Sequence, residues 1–431
     1  MAFPYRIHVL GPAVALVSML ALAACTMPAD PEPLTPEYGD RSSPPVEPDP
    51  TLQYAALDFQ IGDLTDPEVM ARYARVDLLI TDPARFWDGG GHAEDIALLK
   101  AANPDLKIIG FFRSKCVRLE WAGLSAEDNP YCRALYEASR PYWAMTTTGD
   151  TAQDWTGVAL FDFTNPAARR AMLDVFVAQQ ESSPYKLDGV HWDYFNNSLW
   201  ISPDVHTMEG DPDLDGDGIA HWDDEDELQA FRDAQVDWIQ EMRAIMGEGF
   251  IQTVNGARAL VDSNFASLVD GMLYEVFPNV GLGGSERYRA ALDPGRYNNL
   301  FAAHNWPRTR NGGPWLMLSN KNPGASFIDS EGQQRMLDLG DLNRAIALLT
   351  GGVSMYYDQT GRHAAGIPSV ELALGEPLGP VSIDGDVYRR TFAHGRIELV
   401  MGSGDGADPF AFQIFQDGDL VQVYDRPRYD P

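Results

Sequence analysis

Residues 52–380 show apolar runs of strand length, separated by segments in which apolar residues recur every three or four positions. The runs YAALDF (54–59), DLLITD (77–82), LKIIGFFR (106–113) and LDGVHWDYF (187–195) read as the first four strands. FIQTVNG (250–256), GMLYEVF (271–277), PWLMLSN (314–320) and GVSMYYD (352–358) read as four more. The intervening helical signals are explicit. In DPEVMARYARV (66–76), Asp66 stands at the N-cap and Pro67 at the first helical position. AEDIALLKAAN (93–103) follows the second strand, and Asn165 with Pro166 opens NPAARRAMLDVFVAQQ (165–180). DELQAFRDAQVDWIQEMRAIMG (226–247) carries apolar residues at 228, 231, 234, 238, 242 and 245 and ends on Gly247. QRMLDLGDLNRAIALLTGG (334–352) reads as the helix before the last strand. Eight strands in alternation with helices predict an α/β fold, a (β/α)8 TIM barrel rather than an open sheet. After residue 380 the period changes to two, with glycine-containing turns, which predicts a small C-terminal antiparallel β appendage.

The ends of the chain change this picture. Arg6 precedes an apolar run from Val9 to Ala24 that is short for a membrane span and reads as an export signal. It closes on Leu22-Ala23-Ala24-Cys25, which resembles the bacterial lipobox; the resemblance implies lipidation of Cys25. Residues 26–50 hold eight prolines, a density that excludes helix and sheet interior and suits an extended tether. The expected organisation is a signal peptide over 1–24, a tether over 25–51, a barrel over 52–375 and an appendage over 376–431. The chain is expected to be an exported lipoprotein of the outer membrane or cell surface, held to the membrane through Cys25, and to act as a monomer. Cys116 and Cys132 remain, and even pairing in an exported chain predicts a disulfide between them.

Charge narrows the partners. The net charge is −31, which opposes nucleic acid and anionic membrane surfaces and is compatible with metal cations, neutral sugars or cationic polymers. No glycine-rich dinucleotide or phosphate-loop motif follows any of the strands.

The chemistry is expected where barrel strands end. In LDGVHWDYF, His191 and Asp193 are two apart and share a face, so Asp193 points into the mouth with His191 one layer below. Asp188, at the opposite end, reads as a structural cap or pair. The same rule brings out Asp58, Asp82, Arg113, Asn255, Glu275, Asn320 and Asp358. Asp193 and Glu275, ending the fourth and sixth strands, form the candidate catalytic pair: one nucleophile or base and one proton donor, as glycoside hydrolysis requires. His191, Tyr194, Asp82, Arg113, Asn255, Trp306 and Asp358 are the candidate substrate-binding residues. Trp192, Tyr194, Trp200, Trp306 and Trp315 offer flat faces for sugar rings or pack in the core.

FDFTNPAARRAML, LDGVHWDYF, TVNG, DGMLYEVF and LGPVSIDGDVYRRTFAHGRIELV together resemble the glycoside hydrolases catalogued as hypothetical glycosyl hydrolase family 15. They are more distantly similar to polygalactosaminidase-like and amylase-like barrels. In the latter a strand of the form Asp-Gly-Phe-Arg-x-Asp ends in the nucleophile; DGVHWD puts Asp193 at that place and His191 where the arginine would be. The resemblance implies a barrel fold and hydrolysis of a sugar bond and names no substrate; a polysaccharide is the substrate expected. A surface module that binds polysaccharide without cleaving it is the reading from another class. An amidase finds no serine or cysteine nucleophile motif.

A second motif, DPDLDGDGIAHWDDEDE (211–227), has Asp213, Asp215 and Asp217 followed by Gly218, the first half of an EF-hand-type calcium loop, and resembles a thrombospondin type-3 repeat. Counted from Asp213, Ile219 is seventh and Asp224 twelfth. These five residues are the candidate ligands of a structural Ca2+; the alternative is a solvated acidic loop.

Overall fold

A computed structural model describes residues 54–59, 61–88, 92–201, 211–256, 258–274, 315–320, 339–357, 372–400 and 411–425, with short pieces between them. Eight strands pair in parallel, each with its sequence neighbour: β1 (Tyr54–Leu57), β2 (Leu78–Thr81), β3 (Lys107–Arg113), β4 (Gly189–Asp193), β5 (Ile251–Asn255), β6 (Gly271–Tyr274), β7 (Trp315–Asn320) and β8 (Val353–Tyr357). Pairing of β8 with β1 closes the ring, so the fold is the (β/α)8 barrel expected.

The helices begin where their caps dictate. Asp66 accepts from Glu68 N at the start of α1 (Pro67–Tyr73), ahead of α2 (Asp95–Ala102). A further helix, α3 (Pro130–Ser139), lies in the insertion after β3. Asn165 accepts from Ala167 N at the start of α4 (Pro166–Ser182). Asp224 accepts from Asp226 N and Glu227 N at the start of α5 (Glu225–Met246), and Gly247 closes it at φ 88°. The last, α6, spans Leu339–Thr350. The helical reading of 334–352 is corrected at its front: Gln334–Met336 is a strand paired antiparallel with Ser326–Ile328, so its backbone bonds go to a hairpin instead of a helix.

Alternation sorts the side chains into two layers. Ala55, Leu57, Leu78, Ile80, Ile109, Ile251, Leu273, Trp315, Met317, Val353 and Met355 fill the barrel interior. The opposite faces pack outward against the helices. There Trp192 meets Phe112 at 5.3 Å and Trp238 at 5.5 Å, edge to face, and its indole N–H donates to Gln252 Oε1 at 3.0 Å. Burial of each such ring is worth roughly 1.5–3 kcal/mol. Gly189 begins β4 because its neighbour leaves no room: a Cβ would stand 2.2 Å from Ile251 O. Asp188, just before it, accepts from Lys100 Nζ at 2.6 Å and Ile108 N at 2.7 Å, the structural role expected.

The insertion after β3 forms a three-stranded sheet of Cys116–Arg118, Gln153–Trp155 and Val158–Leu160. A second ladder ties Met145–Thr146 to Pro212–Asp213, so the insertion is hydrogen-bonded to the acidic loop after β4. The disulfide expected between Cys116 and Cys132 is not formed; both are buried free thiols. Each has its own polar neighbour. Cys116 Sγ lies 3.5 Å from Asp154 Oδ2, and Cys132 N donates to Asp88 Oδ2. At the C-terminus, β9 (Ser382–Asp384), β10 (Val387–Phe392), β11 (Gly395–Val400), β12 (Ala411–Gln416) and β13 (Asp419–Asp425) form an antiparallel sheet. Arg390 on β10 donates to Leu348 O at 3.1 Å, near the end of α6.

Candidate active site

Interior-facing positions continue upward into the mouth. On β2, Leu78 and Ile80 face inward, so Asp82 does too. The same alternation on β3 places Arg113 above Ile109 and Phe111. On β4 it gives His191 and then Asp193, and on β5 Thr253 and then Asn255. Register brings these ends together: Arg113 stands opposite Asp193, Phe111 opposite His191, and His191 opposite Thr253.

Asp193 is buried, and Asn255 Nδ2 donates to its Oδ1 at 2.9 Å. Its backbone carbonyl accepts from Ser114 Oγ. The next residue, Tyr194, has φ 68°, a left-handed conformation unfavourable for a bulky side chain. Phe195 N then donates to Asn255 O at 2.8 Å. The chain therefore turns sharply straight after the carboxylate and is pinned on both sides of the turn.

Arg113 is a buried cation near the carboxyl groups of Asp82 and Asp193. Burial opposes its charge, but Cys116, Asp82, Tyr194 and Asp193 hold its pKa above the ordinary value. Asp82 is pushed the other way from a free aspartate: burial raises its pKa, against the Arg113 charge and the Ala84 N–H that lower it. A cavity of about 770 Å³ opens on this side, lined by Phe59, Asp82, Arg85, Asp88, His92 and Trp121 among others.

His191 lies fully buried beneath the mouth. Its Nδ1 pairs with Thr253 Oγ1 at 2.7 Å, and its ring lies 5.8 Å from Phe111. Burial holds its pKa down at about 3, so it is neutral at physiological pH. It does not supply the charge an arginine would.

The structure thus gathers Asp193, His191, Asn255, Arg113, Asp82 and Tyr194. Asp58 is not part of the group: it accepts from Tyr73 Oη and Ile61 N and is structural. Trp192 and Trp315 are core residues of the outer and inner layers, so neither offers a face to a sugar. Glu275, Trp306 and Asp358 lie outside the described residues.

Sequence reasoning missed a buried ion pair beside the mouth. Lys115 Nζ lies 2.8 Å from Asp154 Oδ1, with both side chains about fully buried. The ammonium also donates to Trp200 O and stands 3.8 Å from the Tyr194 ring centroid. Such a pair needs good geometry to offset its desolvation, and here it braces the turn after Asp193. A tertiary contact across 39 residues leaves no periodic signal.

In the acidic loop, Asp213 Oδ2 accepts from Gly218 N at 2.8 Å and Asp217 Oδ1 accepts from Ile219 N at 2.7 Å. Two groups of carboxylates have oxygens within 4.8 Å of one another: Asp213, Asp215 and Glu227, and Asp215, Asp217 and Asp224. Asp215 belongs to both, and its pKa is raised, first by burial and then by the charges of Asp217, Glu227 and Asp213. Glu227, three residues beyond the counted loop, was not anticipated. It accepts from Leu214 N and Asp215 N and pairs with His221 Nδ1 at 2.6 Å. Leu199 N donates to His221 Nε2, which leaves Nδ1 as the donor to Glu227.

No family model matches the chain, and no curated protein matches it in sequence. Among solved structures, it is similar to an alpha-amylase from Lactobacillus plantarum at TM-score 0.47 and 12% identity, over 86% of this chain and 96% of that one. A noncanonic maltogenic alpha-amylase from Thermotoga neapolitana gives TM-score 0.44 and 12% identity, over 84% and 88%. The galactosidase domain of an alpha-galactosidase–sucrose kinase gives 0.44 and 11%, over 88% of this chain and 48% of that one.

Proposed function

We propose that the protein is a glycoside hydrolase acting on a polysaccharide, of the kind resembled by hypothetical glycosyl hydrolase family 15. The observation that supports this reading is the placement of Asp193: an inward carboxylate ending β4, oriented by Asn255 from β5 and facing Arg113 from β3. A core carboxylate could be satisfied by one buried cation. Here the group sits at the barrel end where substrates bind, behind a turn that holds a tyrosine at positive φ.

In this reading Asp193 acts as nucleophile or base on the anomeric carbon, and Glu275 protonates the leaving oxygen. Asn255 orients the Asp193 carboxylate through its Oδ1. Asp82, whose pKa burial raises against the Arg113 charge, offers carboxyl oxygens to sugar hydroxyls. Neutral His191 supports the floor through Thr253.

The acidic loop is proposed to bind a structural Ca2+. Its clustered oxygens fit a cation that takes six to eight oxygen ligands, and the pKa of Asp215 is raised by burial first and then by the neighbouring carboxylates, whose charge a cation would offset. Asp213, Asp215, Asp217 and Asp224 would supply side-chain oxygens and Ile219 a backbone carbonyl. The ion would stiffen the wall after β4 and take no part in bond cleavage. Export and anchoring through lipidated Cys25, at the outer membrane or cell surface, complete the proposal.

The test is release of new reducing ends from a panel of polysaccharides by the purified chain. Cleavage of at least one is expected. Binding without cleavage would make the barrel a surface-binding module, and neither binding nor cleavage would overturn the carbohydrate reading.

A further inference from the structure

The insertion after β3 carries an indole to the rim of the mouth. Trp155 ends the strand Gln153–Trp155 and is 36% exposed. Its Nε1 donates to the Tyr194 hydroxyl at 3.4 Å, and Tyr194 directly follows Asp193. Only one hydrogen bond and one residue separate the exposed indole from the carboxylate.

The platform is rigid. Tyr194 and Trp200 lie parallel, 10° apart, with centroids separated by 6.3 Å. The Lys115 ammonium lies over the Tyr194 ring, 3.8 Å from its centroid and 5.5 Å from that of Trp200. Asp154, next to Trp155 in sequence, holds the same ammonium at 2.8 Å. Trp200 in turn packs against Trp155 at 5.4 Å. The turn after Trp155 is closed by Gly157, at φ 81°, whose N–H donates to Gln153 Oε1 at 2.7 Å. A fixed aromatic face loses little entropy on binding, and a pyranose offers it a face of C–H groups with hydroxyls at the edge.

We propose that Trp155 and the Tyr194 hydroxyl form a sugar-binding subsite, which takes a pyranose ring of the polysaccharide next to the one held at Asp193. The indole face stacks on the ring, and the tyrosine hydroxyl bonds one of its edge oxygens. The inference rests on the glycoside hydrolase reading and deepens it: the substrate is a chain of at least two sugars, gripped on the side of the β3 insertion.

The test uses the full mature chain carrying Asp193→Asn, so that binding is read without turnover. Mobility is measured in native gels containing soluble starch, laminarin, xylan or galactomannan, neutral polymers that the net charge of −31 does not attract. At least one polymer should retard the chain. Adding Trp155→Ala should weaken that retardation by about tenfold in apparent Kd, on the order of one stacking contact. Trp155→Phe keeps the aromatic face and should keep most of the affinity. Melting temperatures of all variants check folding. Retardation unchanged by Trp155→Ala, or equally lost with Trp155→Phe, overturns the subsite and leaves the enzyme reading standing. Retardation by none of the polymers counts against both.

Discussion

His191 illustrates what burial does to one side chain. It stands one layer below Asp193, sealed in the barrel with its pKa held at about 3. The unfolded chain binds a proton there near pH 6.5, so the native state binds fewer protons at any pH between the two values. Stability attributable to this residue is therefore fully present above about pH 6.5 and is lost as pH falls toward 3, by about 1.4 kcal/mol per pH unit. Urea unfolding at pH 7, 6 and 5 should show this slope in the wild-type chain. His191→Gln should be flatter, whatever its stability at pH 7. Identical slopes would mean that the imidazole accepts a proton in the folded state. That His191 lies below Asp193 was legible from their spacing of two; that it is neutral was not, because desolvation depends on what the other strands bring.

Elements were legible in proportion to their local signals. Asp66-Pro67, Asn165-Pro166 and Gly247 mark helix ends that the structure keeps, each through a bond from or to a nearby backbone group. The apolar runs became barrel strands because parallel strands are buried on both faces. The short strands within the insertion after β3 escaped, since strands of two or three residues show no period and owe their pairing to distant partners. The acidic loop was half legible: Asp213, Asp215, Asp217 and Asp224 follow a known spacing, whereas Glu227 enters only because α5 turns it back over the loop. The proposed ion should stabilise this element by mass action. A chelator should lower the melting temperature by a few degrees, calcium should restore it, and Asp215→Ala, which removes the oxygen common to both groups, should abolish the response. A melting curve that ignores the chelator would identify a solvated acidic loop.

For the whole molecule, counting cysteines on the expectation of export misled: a disulfide needs two thiols brought together, and the fold buries Cys116 and Cys132 beside different aspartates. The Leu22–Cys25 segment and the proline-rich stretch lie outside the described residues, so anchoring is tested on cells. Wild-type protein should fractionate with membranes, and Cys25→Ser should accumulate as unprocessed precursor or soluble protein. Processed Cys25→Ser protein still bound to membranes would contradict the lipid anchor.

The most direct test of the account is the turnover of Asp193→Asn on whichever polysaccharide the wild-type chain cleaves. The amide nearly preserves shape, so the variant should melt close to wild type and still bind the polymer. Its turnover should fall on the order of 10²–10⁴-fold, the magnitude of lost acid–base or nucleophilic work. Turnover at the wild-type rate would place the chemistry elsewhere and contradict the assignment.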